Sequence, residues 1–311
     1  MDRNRMLFCP DLATGLTTQV ISNELAETVF GDQGFAKLLK ARYDQMGELF
    51  RNAHYDNSRW DLDAPFSDCK NKADRDKKDA RLVVPRSRLV SAPQNVTRLF
   101  DYDNFGHDMP VWVSYNQDPN AKRVMIVSQD PLRGSKNAKD EKGSLYLSTP
   151  FGIHSKDFEC HGMDPRVRDM LNAFLEAGYL VYMTDYMKFY AKERGFIKGK
   201  VMRRNDPDGF RAMFSDSLEY EIKEMVKPSF IIFIGADFSN PHYASLPFSP
   251  QVKRDRIEEG EVGWNDSSYR AIVTCHTNAR FVRTEDNPHP AITHFDNIVK
   301  MVLEYLSTSV A

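Results

Sequence analysis

The chain has 311 residues, of which 41% are hydrophobic, 28% charged and 12% aromatic. This composition excludes a disordered, collagen-like or disulfide-stabilised small protein. The length suffices for one large domain, alone or with an appended segment. The 42 Lys and Arg residues nearly balance the 44 Asp and Glu residues, which gives a formal net charge of -2. The overall charge argues mildly against DNA as a partner, because a polyanion would have to be met by a local basic patch.

The first hundred residues divide into a helical pattern and a polar stretch. Apolar residues at spacings of three and four predict a helix within 17–53. From 52 to about 93 the chain is polar and broken, and Lys and Arg outnumber the acids in KNKADRDKKDARLVVPRSR. A solvated loop is the expected structure of this stretch, and a nucleic-acid contact is the alternative.

Four later segments share a short apolar run, rich in Val, Ile, Phe and Tyr, that ends in polar residues. They are RVMIVSQD (123–130), YLVYMTDY (179–186), SFIIFIGAD (229–237) and RAIVTCH (270–276). Such runs are typical of strands buried on both faces of a parallel sheet. Helical patterns lie between or after them, at 165–177, 209–226 and 291–306. The alternation predicts a doubly wound α/β domain.

Chemically active side chains follow these runs. Gln129 and Asp130 end the first run, Asp185 is the next-to-last residue of the second and His276 ends the fourth. In doubly wound sheets, ligands bind at the carboxyl ends of the strands. Two carboxylates and a histidine are therefore expected to converge on one edge of the sheet.

These segments resemble motifs of the uracil-DNA glycosylase superfamily, in the same order along the chain. SQDPLR (128–133) is similar to the water-activating motif GQDPYH, and STPFG (148–152) to the segment whose aromatic ring stacks on the flipped base. VYMTDYMK (181–188) resembles the V-Y-x-T-N-x-x-K strand that carries the base-reading Asn. PSFIIFIGA (228–236) and VTCHTNAR (273–280) are similar to the next strand and to the strand that carries the family's His.

The resemblance covers about residues 120–305. It implies an α/β fold, a three-layer αβα domain around a central four-stranded, mostly parallel sheet. We accordingly assign residues 111–311 to a glycosylase-like catalytic domain and residues 1–110 to a largely helical N-terminal extension. The implied activity is that of a monofunctional DNA glycosylase, which flips a base out of the duplex and hydrolyses its N-glycosidic bond to leave an abasic site.

Carried over residue by residue, the resemblance assigns catalytic roles to Asp130 and His276. Asp130 would orient a water and stabilise positive charge on the sugar, and His276 would donate a hydrogen bond to the base O2 as negative charge accumulates there. Phe151 would stack on the base, with Tyr146 as the alternative ring. Purely structural roles stay open for these residues, since an Asp before Pro often makes a turn and a Phe is often a core residue.

The resemblance also implies contacts with the base and with the DNA strands. The base-binding set is Gln129, Leu132, Phe151 and Asp185, and the DNA-binding set is Arg133, Asn278, Arg280 and Phe281. Arg280 or Phe281 would fill the gap that the flipped base leaves in the duplex. The expected partner is double-stranded DNA that contains the target base.

Two departures from the family motifs bear on the substrate. The base-reading Asn is replaced by Asp185, whose ionised carboxylate can accept from the N4 amino group of cytosine but is mismatched against the O4 acceptor of uracil. Leu132 replaces the motif's Tyr and leaves room for a substituent on C5, which Arg133 could hydrogen-bond. Together these departures favour a C5-modified cytosine, such as the hydroxymethylated or glucosylated cytosine of some phages, and hence a role in phage defence.

Three other functions stay open: a uracil-DNA glycosylase of base-excision repair, a non-catalytic DNA-binding module, and a hydrolase of free nucleotides. Salt-dependent binding to duplex DNA discriminates against the last of these.

No cofactor or metal is expected. The cysteines Cys9, Cys69, Cys160 and Cys275 include no close pair, so neither an iron–sulfur cluster nor a zinc site is predicted, and Cys275 is expected to be a small core residue. No apolar run reaches the length of a membrane span. We expect a monomeric, intracellular protein without a membrane partner.

Overall fold

The computed structural model describes residues 7–8, 83–84, 104–108, 110–114, 118, 120–129, 144–148, 150–152, 165–187, 190–192, 218–235, 257–264, 267–275 and 289–308. The helix predicted within 17–53 and most of the polar stretch 52–93 lie outside the described residues. The division of the chain at residue 110 therefore stays a prediction.

Eleven strands lie within the described ranges. They are β1 (Leu7–Phe8), β2 (Val83–Val84), β3 (Asn104–Asp108), β4 (Val111–Ser114), β5 (Arg123–Ser128), β6 (Ser144–Ser148), β7 (Leu180–Asp185), β8 (Tyr190–Lys192), β9 (Phe230–Ile234), β10 (Glu258–Trp264) and β11 (Ser267–Thr274). Seven of them form one sheet in the order β1-β4-β7-β5-β9-β11-β10, and four form a second sheet in the order β2-β6-β3-β8.

The centre of the larger sheet consists of the four apolar runs found in the sequence. Strands β7, β5, β9 and β11 are adjacent and parallel, in the spatial order second, first, third, fourth. Every residue of β5, β7 and β9 is buried except the half-buried Arg123. The prediction of parallel strands covered on both faces is confirmed for these runs.

The sheet is wider than the four strands expected from the sequence. Strand β4 pairs antiparallel with β7, β10 pairs antiparallel with β11, and the two-residue β1 extends the edge beyond β4. The expected number of strands was therefore wrong. The acidic sequence of β10, EEGEVGW, buries only Val262 among its described side chains, so it lacks the apolar run that marks the central strands.

Helical segments contact both faces of the larger sheet. They are α1 (Pro165–Glu176), the π segment (Glu221–Val226), which continues the helical residues 218–220, and α2 (Pro290–Thr308). The predicted helices 165–177 and 291–306 are confirmed, and the second half of 209–226 is helical while its first half lies outside the described residues. None of the described helices is long and apolar enough to cross a membrane.

The two faces can be told apart at adjacent residues of β7. Side chains alternate along a strand, so Thr184 and Asp185 lie on opposite faces. Thr184 donates a hydrogen bond to Glu221 of the π segment, which therefore covers the Thr184 face. On the Asp185 face, Phe230 packs edge to face against Tyr305 of α2 at 5.3 Å between ring centroids.

Candidate functional site at the carboxyl edge

The strand order predicts a ligand crevice at the carboxyl edge of the sheet. The chain passes from β5 to β7 on one side and later to β9 and β11 on the other, so its direction across the sheet reverses between β5 and β9. Ligands of doubly wound sheets bind outside the strand ends at such a reversal. Gly235 follows β9 at this point with φ 145, a backbone conformation that favours glycine.

Ser128 and Asp185 form one side of this crevice. They are the last residues of the parallel neighbours β5 and β7, and they are paired in register, so their side chains share a face. The Ser128 hydroxyl donates a hydrogen bond to Oδ1 of Asp185. Both residues are buried, with Asp185 only 2% exposed. A carboxylate is costly to bury unless it is hydrogen-bonded, so the serine stabilises it there.

The backbone holds the two strand ends together beyond this pair. The amide of Tyr186 donates to the carbonyl of Ser128 at 2.8 Å, and the amide of Met187 donates to the carbonyl of Gln129 at 3.0 Å. Tyr186 is buried and thereby anchors the chain after Asp185. The positions of Ser128, Gln129 and Asp185 are consequently fixed by a ladder that continues past them.

Phe151 lies in a short turn that contacts β7. The turn, Pro150–Gly152, follows β6, and its proline is buried while Phe151 is half-buried. Phe151 has φ 57 and ψ 10, a left-handed conformation that costs a bulky L-residue about 1–2 kcal/mol. Strain of this kind clusters at functional sites, so the turn is a candidate ligand contact.

A second buried carboxylate lies behind β7, on the Thr184 face. Glu221 Oε1 accepts hydrogen bonds from the hydroxyls of Tyr182 and Thr184, both at 2.9 Å, and its side chain is fully buried. The ring of Tyr182 packs edge to face against Trp112 of β4 at 5.0 Å between centroids. This network ties the strand that carries Asp185 to the π segment and to the neighbouring strand.

The other side of the crevice has a threonine, a cysteine and a histidine. Thr274 ends β11, and its Oγ1 lies 2.6 Å from Nε2 of His294 in α2. The thiol of Cys275 lies 3.6 Å from the same nitrogen. All three side chains are buried, and the expectation that Cys275 is a small buried residue is confirmed.

The structure describes three of the residues that the sequence assigned to the site, and it places two of them at the same edge of the sheet. Gln129 and Asp185 lie at the ends of neighbouring strands, and Phe151 lies in the turn beside β7. The others lie outside the described residues: Asp130, Leu132, Arg133, His276, Asn278, Arg280 and Phe281. Two of them directly follow described residues at the carboxyl edge, since Asp130 comes after Gln129 and His276 after Cys275. The alternative stacker Tyr146 lies in β6 of the second sheet.

Sequence reasoning did not assign Ser128, Glu221 or His294 to the site. Glu221 left a signal, because it shares a helical face with the buried Leu218, Ile222 and Met225, where an apolar residue is expected. The only sequence feature that could have indicated Ser128 is its position at the end of a buried apolar run. His294 left none, since a histidine in the first turns of an amphipathic helix has no distinctive pattern.

Within the described ranges, no group of three or more His, Cys, Asp and Glu side chains is arranged to hold a metal. No protein-family model and no curated protein sequence matches the chain.

Proposed function

We propose that the protein is a DNA glycosylase that removes a C5-modified cytosine, such as hydroxymethylated or glucosylated cytosine, from phage DNA. The observation that carries this proposal is the pairing of Asp185 with Ser128 at the end of two parallel strands, beside the crevice. Described parts of all five motif segments lie at this edge or next to β7: Gln129, Phe151, Asp185, Gly235 and Thr274. The segments are distant in sequence, and their convergence on one region supports a common site.

The reaction needs a group for the water and a group for the leaving base. Asp130 follows Gln129 and accepts a proton from the water whose oxygen forms the new bond to the anomeric carbon. The N-glycosidic bond breaks, and the base departs with the bonding electron pair. His276 follows Cys275, and it donates a hydrogen bond to the base O2, where the negative charge accumulates.

Asp185 supplies the selection of the base. An ionised carboxylate accepts a hydrogen bond from an amino group but has no hydrogen to offer a carbonyl oxygen. The N4 amino group of cytosine fits this acceptor, and the O4 of uracil does not. A mismatch of this kind at a buried polar group costs about 1–3 kcal/mol.

Phe151 and Leu132 shape the rest of the pocket. A flipped base gains about 1–3 kcal/mol by stacking on an aromatic ring, and the half-buried Phe151 offers such a ring beside β7. Leu132 leaves space at C5 of the base, where Arg133 provides a hydrogen-bond donor for a hydroxyl or a sugar. Both features favour a substituted base over cytosine itself, which the host genome contains.

The test uses duplexes that differ at one base: 5-hydroxymethylcytosine, glucosylated 5-hydroxymethylcytosine, cytosine or uracil. Mass spectrometry of the released bases should detect a modified cytosine as the main product, uracil only at a low rate, and no cytosine. Asp130→Asn should reduce release by about a thousandfold, roughly 4 kcal/mol of transition-state stabilisation, while duplex binding persists. Asp118→Asn is the matched control, because Asp118 is exposed in the turn before β5, away from the carboxyl edge.

Each other result has a defined meaning. Release of uracil alone would identify a repair glycosylase, and salt-dependent duplex binding without release of any base would identify a DNA-binding module. Equal release by Asp130→Asn and the unaltered protein would remove Asp130 from the catalytic machinery.

A further inference from the structure

We propose that Ser128 is a specificity-determining residue, and that Ser128 and Asp185 together form one base-reading unit that accepts an exocyclic amino group. The inference rests on the proposed function and adds a residue that the motif resemblance does not assign. Its starting point is the hydrogen bond from the Ser128 hydroxyl to Oδ1 of Asp185.

The sheet itself enforces this contact. Ser128 and Asp185 are registered partners on neighbouring parallel strands, which lie about 4.8 Å apart, so two short side chains on one face reach each other. The backbone bond from Tyr186 to Ser128 continues the ladder immediately beyond them. The pairing of β5 and β7 therefore keeps the two side chains within reach of each other.

The contact has two chemical consequences. A hydroxyl that donates to a carboxylate oxygen stabilises the ionised form, which only accepts hydrogen bonds. A carboxylate is planar, so a hydrogen bond at Oδ1 also fixes the plane in which Oδ2 lies. Asp185 is thereby held as an oriented acceptor, which suits an amino group at the base edge and opposes a carbonyl oxygen.

The two positions also differ together from the motifs that the chain resembles. Ser128 stands where GQDPYH has its glycine, and Asp185 stands where V-Y-x-T-N-x-x-K has its asparagine. A glycine has no side chain to donate to the residue on the next strand. Relative to the two motifs, this chain therefore has both an extra hydroxyl, on Ser128, and an extra negative charge, on Asp185, and the two groups are hydrogen-bonded.

Ser128→Ala removes the hydroxyl with little change in volume. We expect kcat/KM for a 5-hydroxymethylcytosine duplex to fall roughly tenfold to hundredfold, the range for loss of a hydrogen bond to a charged group. The low rate on the matched uracil duplex should stay the same or rise. Ser128→Gly should give the same change in the ratio of the two rates, which guards against an effect of the alanine methyl group.

Ser268→Ala is the matched control. Its hydroxyl also donates to a carboxylate, Oε2 of Glu261 at 2.7 Å, but this pair is exposed on the hairpin of β10 and β11. It should leave the ratio of the rates unchanged. Asp185→Asn completes a double-mutant cycle, in which Ser128→Ala should change the ratio less than threefold when Asp185 is already replaced.

The outcomes separate this inference from the proposed function. If the unaltered protein releases no base from any duplex, the proposed function fails and the inference fails with it. If it releases the modified base and Ser128→Ala lowers both rates equally, Ser128 has only a structural role. An undiminished effect of Ser128→Ala in the Asp185→Asn background would likewise overturn the paired unit.

Discussion

Asp185 of β7 and Glu221, which packs against the opposite face of that strand, are two buried carboxylates. Their comparison sets a structural role for Glu221 against the recognition role that we propose for Asp185. Each accepts a hydrogen bond from a hydroxyl, Glu221 from Tyr182 and Thr184 and Asp185 from Ser128. Glu221 lies between the sheet and the π segment, whereas Asp185 lies at the carboxyl edge beside the crevice. Burial alone therefore does not distinguish the two carboxylates, whereas their position relative to the strand ends does.

The largest expected difference between the two carboxylates is in stability. Glu221→Ala leaves two buried hydroxyls without their acceptor and opens a cavity, so the free energy of unfolding should fall by about 3 kcal/mol. Asp185→Asn should cost less than about 1 kcal/mol, because the amide oxygen can still accept from Ser128. Urea denaturation measures both values. Glu224→Ala, an exposed position in the same π segment, is the control and should change little; equal losses for Glu221→Ala and Asp185→Asn would abolish the distinction.

The turn at Phe151 allows stacking and backbone strain to be measured separately. Phe151→Ala and Phe151→Gly both remove the ring, and base release should fall roughly tenfold to hundredfold in each, equivalent to about 1–3 kcal/mol of stacking. Glycine adopts φ 57 without strain, whereas alanine does not. The free energy of unfolding of the glycine variant should therefore be about 1 kcal/mol higher than that of the alanine variant.

Two results would count against this account of Phe151. Base release at the original rate would show that the ring does not contact the base. Equal stability of the two variants, measured by urea denaturation, would show that the left-handed turn is relaxed by its surroundings.

A smaller effect is expected at Thr184, the residue next to Asp185. Thr184→Val removes one of the two hydroxyls that donate to Glu221 Oε1, and stability should fall by about 1 kcal/mol. Because Thr184 faces away from the crevice, the ratio of modified-cytosine to uracil release should not change. Thr184→Ser keeps the hydroxyl and serves as the control. A changed ratio in Thr184→Val alone would show that the two faces of β7 are coupled.

The central part of the fold could be predicted from the sequence because burial on both faces leaves a readable pattern. Continuous apolar runs such as RVMIVS and FIIFI mark β5 and β9 without reference to any partner. Strand β10 left no such run, since its pairing with β11 supplies backbone hydrogen bonds to a mostly polar edge. A mostly polar edge strand such as β10 is therefore determined by its pairing with the neighbouring strand and not by the β-propensity of its own residues.

The site could be predicted only in part, for a similar reason. The residues at the ends of the runs, Gln129 and Asp185, were visible as polar endings. The contact between Ser128 and Asp185 depends on a register between strands 57 residues apart in the chain, which no local pattern encodes. The left-handed conformation of Phe151 is equally invisible, because nothing in STPFG distinguishes it from an ordinary turn.

The most direct test of the account is the ratio of base release from matched 5-hydroxymethylcytosine and uracil duplexes by the unaltered protein and by Asp185→Asn. An amide donates as well as accepts, so it suits uracil, whereas the carboxylate suits the amino group of cytosine. We expect the unaltered protein to prefer the modified cytosine and the variant to shift the ratio towards uracil by roughly ten- to hundredfold. An unchanged ratio, with both proteins folded and active, would contradict the assignment of Asp185 as the base-reading residue.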